Sequence, residues 1–225
     1  MTAPATHEHR FITRRSARYF TLGEPGAGVR DLWIACHGYG QLAADFLAAF
    51  EGIAAPGRLI AAPEGLSRFY IGDAGKRHGK ETPIGASWMT RADRLAEIED
   101  YVAYLESLTA ELEARIAPEA TLTVLGFSQG VSTVSRWIAR SGRTPARMIL
   151  WAGETAFDMP DGSRRPPLGV PVHLVGGSRD RLITLDMMEK QHQRLVHDGA
   201  DASLHRFDGA HRMDRALLDD LAARA

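Results

Sequence analysis

The sequence predicts an α/β fold in which a mostly parallel β-sheet is covered by helices. Short apolar runs rich in β-branched residues alternate with longer segments of helical period along most of the 225 residues. The apolar runs are nearly continuous, as expected of strands buried on both faces. Because a single sheet-based core often exceeds roughly 200 residues, we expect one domain over residues 1–225, with residues 1–10 as a flexible tail.

Six apolar segments are predicted strands, and most of them end close to a glycine or a proline. They are residues 31–36, 58–62, 121–126, 148–151, 170–175 and 202–207. Residues 11–22 are predicted to add one or two edge strands, because the arginines in this segment suit an exposed sheet edge.

Helical periodicity is clearest after Thr90, where Thr90 to Asp93 supply an N-cap and an acidic first turn. Apolar residues then form one stripe at steps of three and four: Leu95, Ile98, Val102, Leu105, Leu108, Leu112 and Ile116. Further helices are predicted at 41–51, 129–141, 185–198 and 212–224, and Gly199 is well placed as a helix stop. The long connections 63–87 and 153–169 are predicted to be irregular, and such loops often border a functional site.

Composition excludes several classes of protein. The net charge is -1, from 27 Lys and Arg against 28 Asp and Glu, so no strong basic field favours nucleic acid as a partner. Cys36 is the single cysteine, which excludes an intramolecular disulfide and a multi-cysteine metal site. We expect no metal or other cofactor. No apolar run fits a signal peptide or the roughly 20 residues that span a bilayer, so we expect a cytoplasmic protein without a membrane segment.

One motif carries chemistry. The segment Gly126-Phe-Ser-Gln-Gly130 ends a predicted strand and opens a predicted helix. A Gly-x-Ser-x-Gly pattern in that setting is typical of a nucleophile elbow, since the glycines relieve crowding at a tight turn. The sequence therefore predicts that Ser128 is a nucleophile whose hydroxyl projects above the sheet.

A serine nucleophile needs a histidine to accept its proton and an acid to orient that histidine. After a nucleophile elbow, the acid and then the histidine follow later strands of the sheet. Asp180 and His211 come, in this order, on loops after the last two predicted strands. We predict Asp180 as the acid and His211 as the base. Asp158 or Glu154 is the alternative if the acid follows the preceding strand.

Acyl transfer also needs N–H donors for the oxyanion of the tetrahedral intermediate. One predicted donor is the backbone N–H of Gln129, directly after the nucleophile. The second is expected on the loop after the strand 31–36, where we favour the N–H of Tyr39 and keep Gly38 and Gly40 as alternatives. His37 is predicted to fix this loop.

With these motifs assembled, the chain resembles the α/β-hydrolase fold and, more narrowly, the phospholipase/carboxylesterase family of acyl-protein thioesterases and small bacterial carboxylesterases. The resemblance covers nearly the whole chain and rests on His-Gly-Tyr-Gly at 37–40, Gly-Phe-Ser-Gln-Gly at 126–130, Gly-Ser-Arg-Asp at 177–180 and Gly-Ala-His at 209–211. It implies a triad of Ser128, Asp180 and His211 with the Tyr39 and Gln129 N–H groups as oxyanion hole, and it suggests a homodimer.

The sequence departs from the thioesterases in two places. Gln41 stands where they usually carry aspartate, and segment 68–78, which would shape their acyl channel, is unusually charged. Both departures argue against protein depalmitoylation. Trp88 resembles a residue near the family's pocket and is a candidate wall residue, although a tryptophan of the core fits equally well. Phe69 and Tyr70 are further pocket candidates.

The resulting hypothesis is a serine carboxylic ester hydrolase that acts through an acyl-enzyme on small to medium acyl esters. A lysophospholipase or acyl thioesterase that prefers long chains is the alternative, and a non-catalytic binding module of the same fold is an alternative of another class. The connection 153–169 is too short and proline-rich for a helical cap, so we expect a minimal fold without a cap domain and with an open cleft.

Overall fold

A seven-stranded β-sheet lies at the centre of the computed structural model, which describes residues 5–72, 75–156, 158 and 166–223. The strand order is β1-β3-β2-β6-β7-β8-β9; β1 is antiparallel to β3, and all other neighbours are parallel. A separate antiparallel hairpin joins β4 and β5. The strands are β1 Tyr19–Leu22, β2 Asp31–Cys36, β3 Arg58–Pro63, β4 Ser67–Tyr70, β5 Ile84–Ser87, β6 Thr121–Phe127, β7 Arg147–Trp151, β8 Val172–Gly177 and β9 Ala202–Phe207.

Helices cover both faces of this sheet, as the α/β prediction requires. They are α1 Ala43–Leu47, which continues into a 3-10 helix Ala48–Ile53, α2 Arg94–Glu113, α3 Gln129–Ser141, α4 Leu185–His197 and α5 Arg215–Ala223. Helices α2, α3 and α4 pack on one face, and α1 and α5 pack on the other. In β2, Leu32 and Ile34 face the first group while Trp33 faces the second, which explains why this strand is apolar throughout.

The six predicted strands are confirmed, with bounds that shift by at most two residues. Segment 11–22 supplies one edge strand, β1. The connection 63–87 is less irregular than expected, because it contains the β4–β5 hairpin. Each strand of this hairpin has four residues, and β5 includes Gly85, so the sequence lacks the apolar run that marks the other strands.

The long helix begins later than predicted, at Arg94 instead of Thr90. The Thr90 N–H and hydroxyl bind the carboxylate of Glu97 at 2.5 and 3.2 Å, which closes a turn before the helix. Leu95 consequently lies outside the apolar stripe and is 64% exposed. The predicted apolar residues between Ile98 and Leu112 face the core.

Two expectations fall partly outside the described residues. Residues 1–4 of the expected tail, and residues 157 and 159–165 of the connection expected to lack a cap, are not described. In the remainder of that connection no helix is present. Within the described residues, none of the helices combines the length and apolarity that crossing a membrane requires.

A buried carboxylate ties the edge strand to the rest of the sheet. The Glu64 side chain, fully shielded from solvent, receives hydrogen bonds from Arg18 at 2.5 and 3.1 Å and from the Ala43 N–H at 3.3 Å. Arg68 of the hairpin lies 3.3 Å away. Burial by itself would raise the pKa of Glu64, but the hydrogen bonds and charge of Arg18 outweigh it and hold this pKa below its usual range.

Replacing this carboxylate tests its contribution to stability. We expect Glu64→Gln to lower the free energy of unfolding by about 2 kcal/mol at neutral pH, because Arg18 loses its charged partner. A carboxyl whose pKa is lowered by folding stabilises the fold above its unfolded pKa, about 4.3, and loses this effect as the pH falls through the folded value. The difference between wild type and variant, measured by urea denaturation, should therefore shrink below about pH 4. Exposed Glu24→Gln is the matched control, and an equal effect of both substitutions would contradict the role of Glu64.

Candidate active site

Ser128 occupies a strained turn between β6 and α3. Its φ is 52° and its ψ is -116°, a conformation that costs a non-glycine residue about 1–3 kcal/mol. The turn is held by a hydrogen bond of 2.9 Å from the Ser128 N–H to the Trp151 carbonyl. A Cβ on Gly130 would lie 2.1 Å from the carbonyl oxygen of Cys36, so only glycine allows α3 to approach β2 this closely. The serine side chain is thereby presented at the carboxyl edge of the sheet.

The structure brings together the three residues that the sequence predicts as a triad. The Nε2 of His211 lies 2.9 Å from the hydroxyl of Ser128, and its Nδ1 lies 2.7 Å from Oδ2 of Asp180. Since a carboxylate only accepts, the Nδ1 carries the proton and Nε2 is free to accept from the serine hydroxyl.

Backbone N–H groups hold Asp180 in place. Its side chain is fully buried, and Oδ1 accepts hydrogen bonds from the Leu182 and Ile183 N–H groups at 2.8 and 3.0 Å. This leaves Oδ2 free to accept from His211 and to orient its imidazole. The backbone N–H groups hold the carboxylate, so no cation is needed to keep it in place.

The alternative acid Asp158 is paired with arginines instead. Its Oδ1 accepts from Nε and Nη2 of Arg136 at 3.0 and 2.8 Å, and Nη2 of Arg94 lies 2.5 Å from Oδ2. Burial would raise the pKa of Asp158, but these two guanidinium groups outweigh it and lower the pKa to about 2. The other alternative, Glu154, lines the cleft beside Ser128. The carboxylate that contacts Nδ1 of His211 belongs to Asp180 and not to Glu154.

The loop after β2 lies against Ser128. A Cβ on Gly38 would be 3.1 Å from the Cβ of Ser128. The Gly38 N–H donates to Oε1 of Gln41 at 2.8 Å, and the Gly40 N–H donates to the Ala86 carbonyl at 2.9 Å. In the part of the chain that the structure describes, the Tyr39 N–H has no acceptor, so it is the free donor among the three considered.

His37 is buried and fastens this loop from beneath. Its Nδ1 donates to the Gly38 carbonyl at 2.7 Å, and its Nε2 accepts from the Gly65 N–H at 3.0 Å. Burial lowers the pKa of His37, which favours the neutral ring that this pair of contacts requires.

The pocket candidates lie away from the cleft beside Ser128. Trp88 is a core residue, only 2% exposed; its indole N–H donates to the His37 carbonyl at 2.9 Å, and its ring packs edge-on against Tyr101 of α2. Phe69 and Tyr70 lie on strand β4 of the hairpin. The ring centre of Phe69 is 5.2 Å from that of Tyr39, and the ring of Tyr70 stacks on His78 with the centres 4.5 Å apart. Phe69 thus packs against the loop after β2, whereas Tyr70, its neighbour in β4, stacks on a residue of the hairpin itself.

The hairpin holds the loop after β2 in place, a contact that sequence patterns did not indicate. A Cβ on Gly85 would lie 2.5 Å from the Gly40 carbonyl oxygen, so the two backbones touch. The Ala86 N–H donates to the Gln41 carbonyl at 3.2 Å, and the Ala86 carbonyl accepts from Gly40. Two hydrogen bonds in opposite directions therefore fix the loop relative to β5.

The Gln129 side chain holds the segment after β5. Its Oε1 accepts from the Trp88 N–H at 3.1 Å, and its Nε2 donates to the Met89 carbonyl at 2.8 Å and to the Ser87 hydroxyl at 3.3 Å. An amide can donate and accept at once, and the glutamine inside Gly-Phe-Ser-Gln-Gly is the signal from which this contact could have been suspected.

A cleft of about 370 Å³ opens beside Ser128. It is lined by Arg94, Ser128, Gln129, Ser132, Arg136, Gly153, Glu154, Thr155, Ala156, Asp158 and Ile183. Among the described residues, no three histidine, cysteine or carboxylate side chains converge as metal ligands would.

Comparison with solved structures identifies the fold. Esterase PE8 matches with a TM-score of 0.70 at 22% identity, over 93% of this chain and 98% of that one. The chain has the α/β-hydrolase fold. Acyl-protein thioesterase 2 from Zea mays matches this chain with a TM-score of 0.69 at 13% identity, over 93% and 97% of the two chains. A carboxylesterase from Mesorhizobium loti gives 0.68 at 17% identity, over 93% and 95%. No protein-family model and no curated protein sequence matches this α/β-hydrolase chain.

Removing the amide of Gln129 tests its hold on the segment after β5. We expect Gln129→Leu to speed amide hydrogen exchange in residues 86–89 and to lower the free energy of unfolding by about 1–3 kcal/mol, because buried polar groups lose their partners. The same substitution at exposed Gln193 on α4 is the control. Unchanged exchange in residues 86–89 would show that the hairpin alone holds this segment.

Proposed function

We propose that this protein is a serine hydrolase of carboxylic esters that acts through an acyl-enzyme on small to medium acyl groups. One observation carries the proposal: the Ser128 hydroxyl lies 2.9 Å from Nε2 of His211, whose Nδ1 lies 2.7 Å from Asp180. A hydroxyl activated by an oriented imidazole is the arrangement that acyl transfer to serine requires.

In the first half of the reaction, Ser128 Oγ attacks the ester carbonyl while Nε2 of His211 takes the hydroxyl proton. Asp180 keeps the imidazole in the required tautomer and stabilises the imidazolium that forms. The carbonyl oxygen becomes an oxyanion, which receives hydrogen bonds from the N–H groups of Gln129 and Tyr39. Collapse of this intermediate breaks the bond to the alcohol, which leaves with the proton from His211.

In the second half, His211 takes a proton from a water molecule as this water attacks the acyl carbonyl. The same N–H groups receive the second oxyanion, and Ser128 Oγ leaves with the proton from His211. The preorganised loop limits the cost of both steps, because the donors need no rearrangement as charge develops.

We further place the protein in the phospholipase/carboxylesterase family, on the motifs of the sequence together with the fold shared with esterase and thioesterase structures. Long-chain lysophospholipase or thioesterase activity is the second candidate, favoured by the likeness to a plant acyl-protein thioesterase. Rates measured over a series of acyl lengths separate the two, since the second candidate requires a rise towards long chains. The homodimer stays a prediction.

Replacement of the nucleophile tests the proposal directly. We expect Ser128→Ala to lower kcat/KM for para-nitrophenyl butyrate by on the order of 10³-fold or more, with an unchanged circular dichroism spectrum. Ser107→Ala, on the exposed face of α2, should keep full turnover. A fluorophosphonate should label wild type at Ser128. Absence of both turnover and labelling in the folded wild-type protein would favour the binding module of the same fold.

The acid is tested by two matched substitutions. We expect Asp180→Asn to lower kcat/KM on the order of 10³- to 10⁴-fold, because an amide at this position would hold the imidazole in the wrong tautomer. Asp158→Asn should cost much less with the same neutral ester, since Asp158 contacts arginines and not His211. The opposite order of the two losses would transfer the role of the acid to Asp158.

A further inference from the structure

Several charged side chains line the cleft beside Ser128. Two arginines, two carboxylates and several hydroxyl and amide groups line its 370 Å³, and Ile183 is the single large aliphatic side chain among the described lining residues. A long alkyl chain would gain little by entering such a cleft, because it would displace water from charged groups and would meet a single large aliphatic side chain among the described residues. The cleft therefore favours a group that can itself bind charge.

The positive charge of the cleft is not fully compensated by Asp158. Arg136, only 5% exposed, and Arg94, 34% exposed, share this one carboxylate. Both oxygens of Asp158 are engaged, one by each guanidinium. The three groups together carry one net positive charge, which Glu154 balances in the sum over the lining without an ion pair to either arginine among the described residues.

The two arginines differ in their capacity to bind a ligand. Arg136 also directs Nη1 to the Tyr101 hydroxyl at 3.3 Å and to the Ser132 carbonyl at 3.5 Å, so its donors are engaged by the protein. Arg94 contacts Asp158 through Nη2 and lines the cleft, and its other N–H groups have no protein acceptor among the described residues. Arg94 is also the first residue of α2, where the helix dipole adds positive potential.

The position of the cleft assigns it to the acyl part of the ester. A leaving alcohol must lie within reach of the Nε2 of His211, which protonates it. The cleft is lined by Ser128 and by Gln129, whereas His211 is not among the described residues that line it. The group that stays on Ser128 after the alcohol leaves is thus the one that extends into the cleft.

We propose that the cleft selects esters whose acyl group carries a carboxylate at its far end, with Arg94 as the counter-ion of that carboxylate. The inference rests on the proposed ester hydrolysis and names its substrate class: monoesters of short dicarboxylic acids. A carboxylate matches the fork of N–H donors on a guanidinium, and the contact neutralises the excess charge left by the pair of arginines.

Glu154 is the charged group that acts against this selection. It lines the same cleft, and its negative charge repels an incoming carboxylate. Its removal should therefore raise the rate for an anionic substrate, whereas a cationic substrate would depend on it. The sign of the effect at Glu154 separates these two substrate classes.

The experiment compares esters of equal acyl length with the wild-type protein. The para-nitrophenyl monoesters of adipic, pimelic and suberic acid are paired with para-nitrophenyl hexanoate, heptanoate and octanoate. We expect at least one monoester to exceed its neutral partner in kcat/KM by roughly tenfold, the factor of one partly exposed charge-assisted contact. This preference should fall as salt is added.

Three variants assign the preference to residues. Arg94→Gln should lower the ratio of anionic to neutral kcat/KM about tenfold, Glu154→Gln should raise it, and exposed Arg91→Gln should leave it unchanged. A wild-type preference for the neutral esters, or equal ratios in wild type and Arg94→Gln, would overturn the inference and leave the ester hydrolysis intact. Turnover that survives Ser128→Ala would overturn the proposed function itself.

Discussion

The close approach of α3 to the end of β2 is the constraint on which the site depends. Gly130 lies against the Cys36 carbonyl with no room for a Cβ, and Ser128 takes a positive φ directly before the helix. The strain of this turn is offset by packing, because β6 lies between the apolar cores on the two faces of the sheet and α3 packs on one of them. A strained backbone conformation persists only where the surrounding structure holds it in place. One consequence is that the nucleophile and the loop after β2 meet at the same edge of the sheet.

A continuous line of hydrogen bonds extends this constraint outwards. The Gln129 amide binds the Trp88 backbone, the Trp88 indole binds the His37 carbonyl, and the His37 ring binds the Gly65 N–H. Glu64, next to Gly65, holds the edge strand through Arg18. Each of these hydrogen bonds is buried or partly buried, where an unmade hydrogen bond is costly, although the Arg18 side chain itself is 49% exposed. The loop after β2 is thus fixed from below by the core and from above by the hairpin.

The two aspartates near Ser128 differ in the groups that their carboxylates bind. Asp180 is held by backbone N–H groups, which leave one oxygen for His211, whereas Asp158 is neutralised by two guanidinium groups. A carboxylate already paired with two cations has little left to offer a histidine. Arg94 keeps N–H donors without an acceptor among the described residues, and its side chain lines the cleft beside Ser128.

The sequence by itself determined the alternation of strands and helices, the elbow at Ser128 and the order of Asp180 and His211, because these depend on local periodicity and on glycines at fixed spacing. It could not separate Asp180 from Asp158 by physical contact, and it misplaced the start of α2 because the bond from Thr90 to Glu97 joins residues seven apart. The hairpin clamp, the buried place of Trp88 and the charged wall of the cleft were decided only by tertiary structure. Each depends on contacts between residues more than 40 positions apart, such as Gly40 with Gly85, His37 with Trp88 and Arg94 with Asp158, and no local pattern encodes such distances.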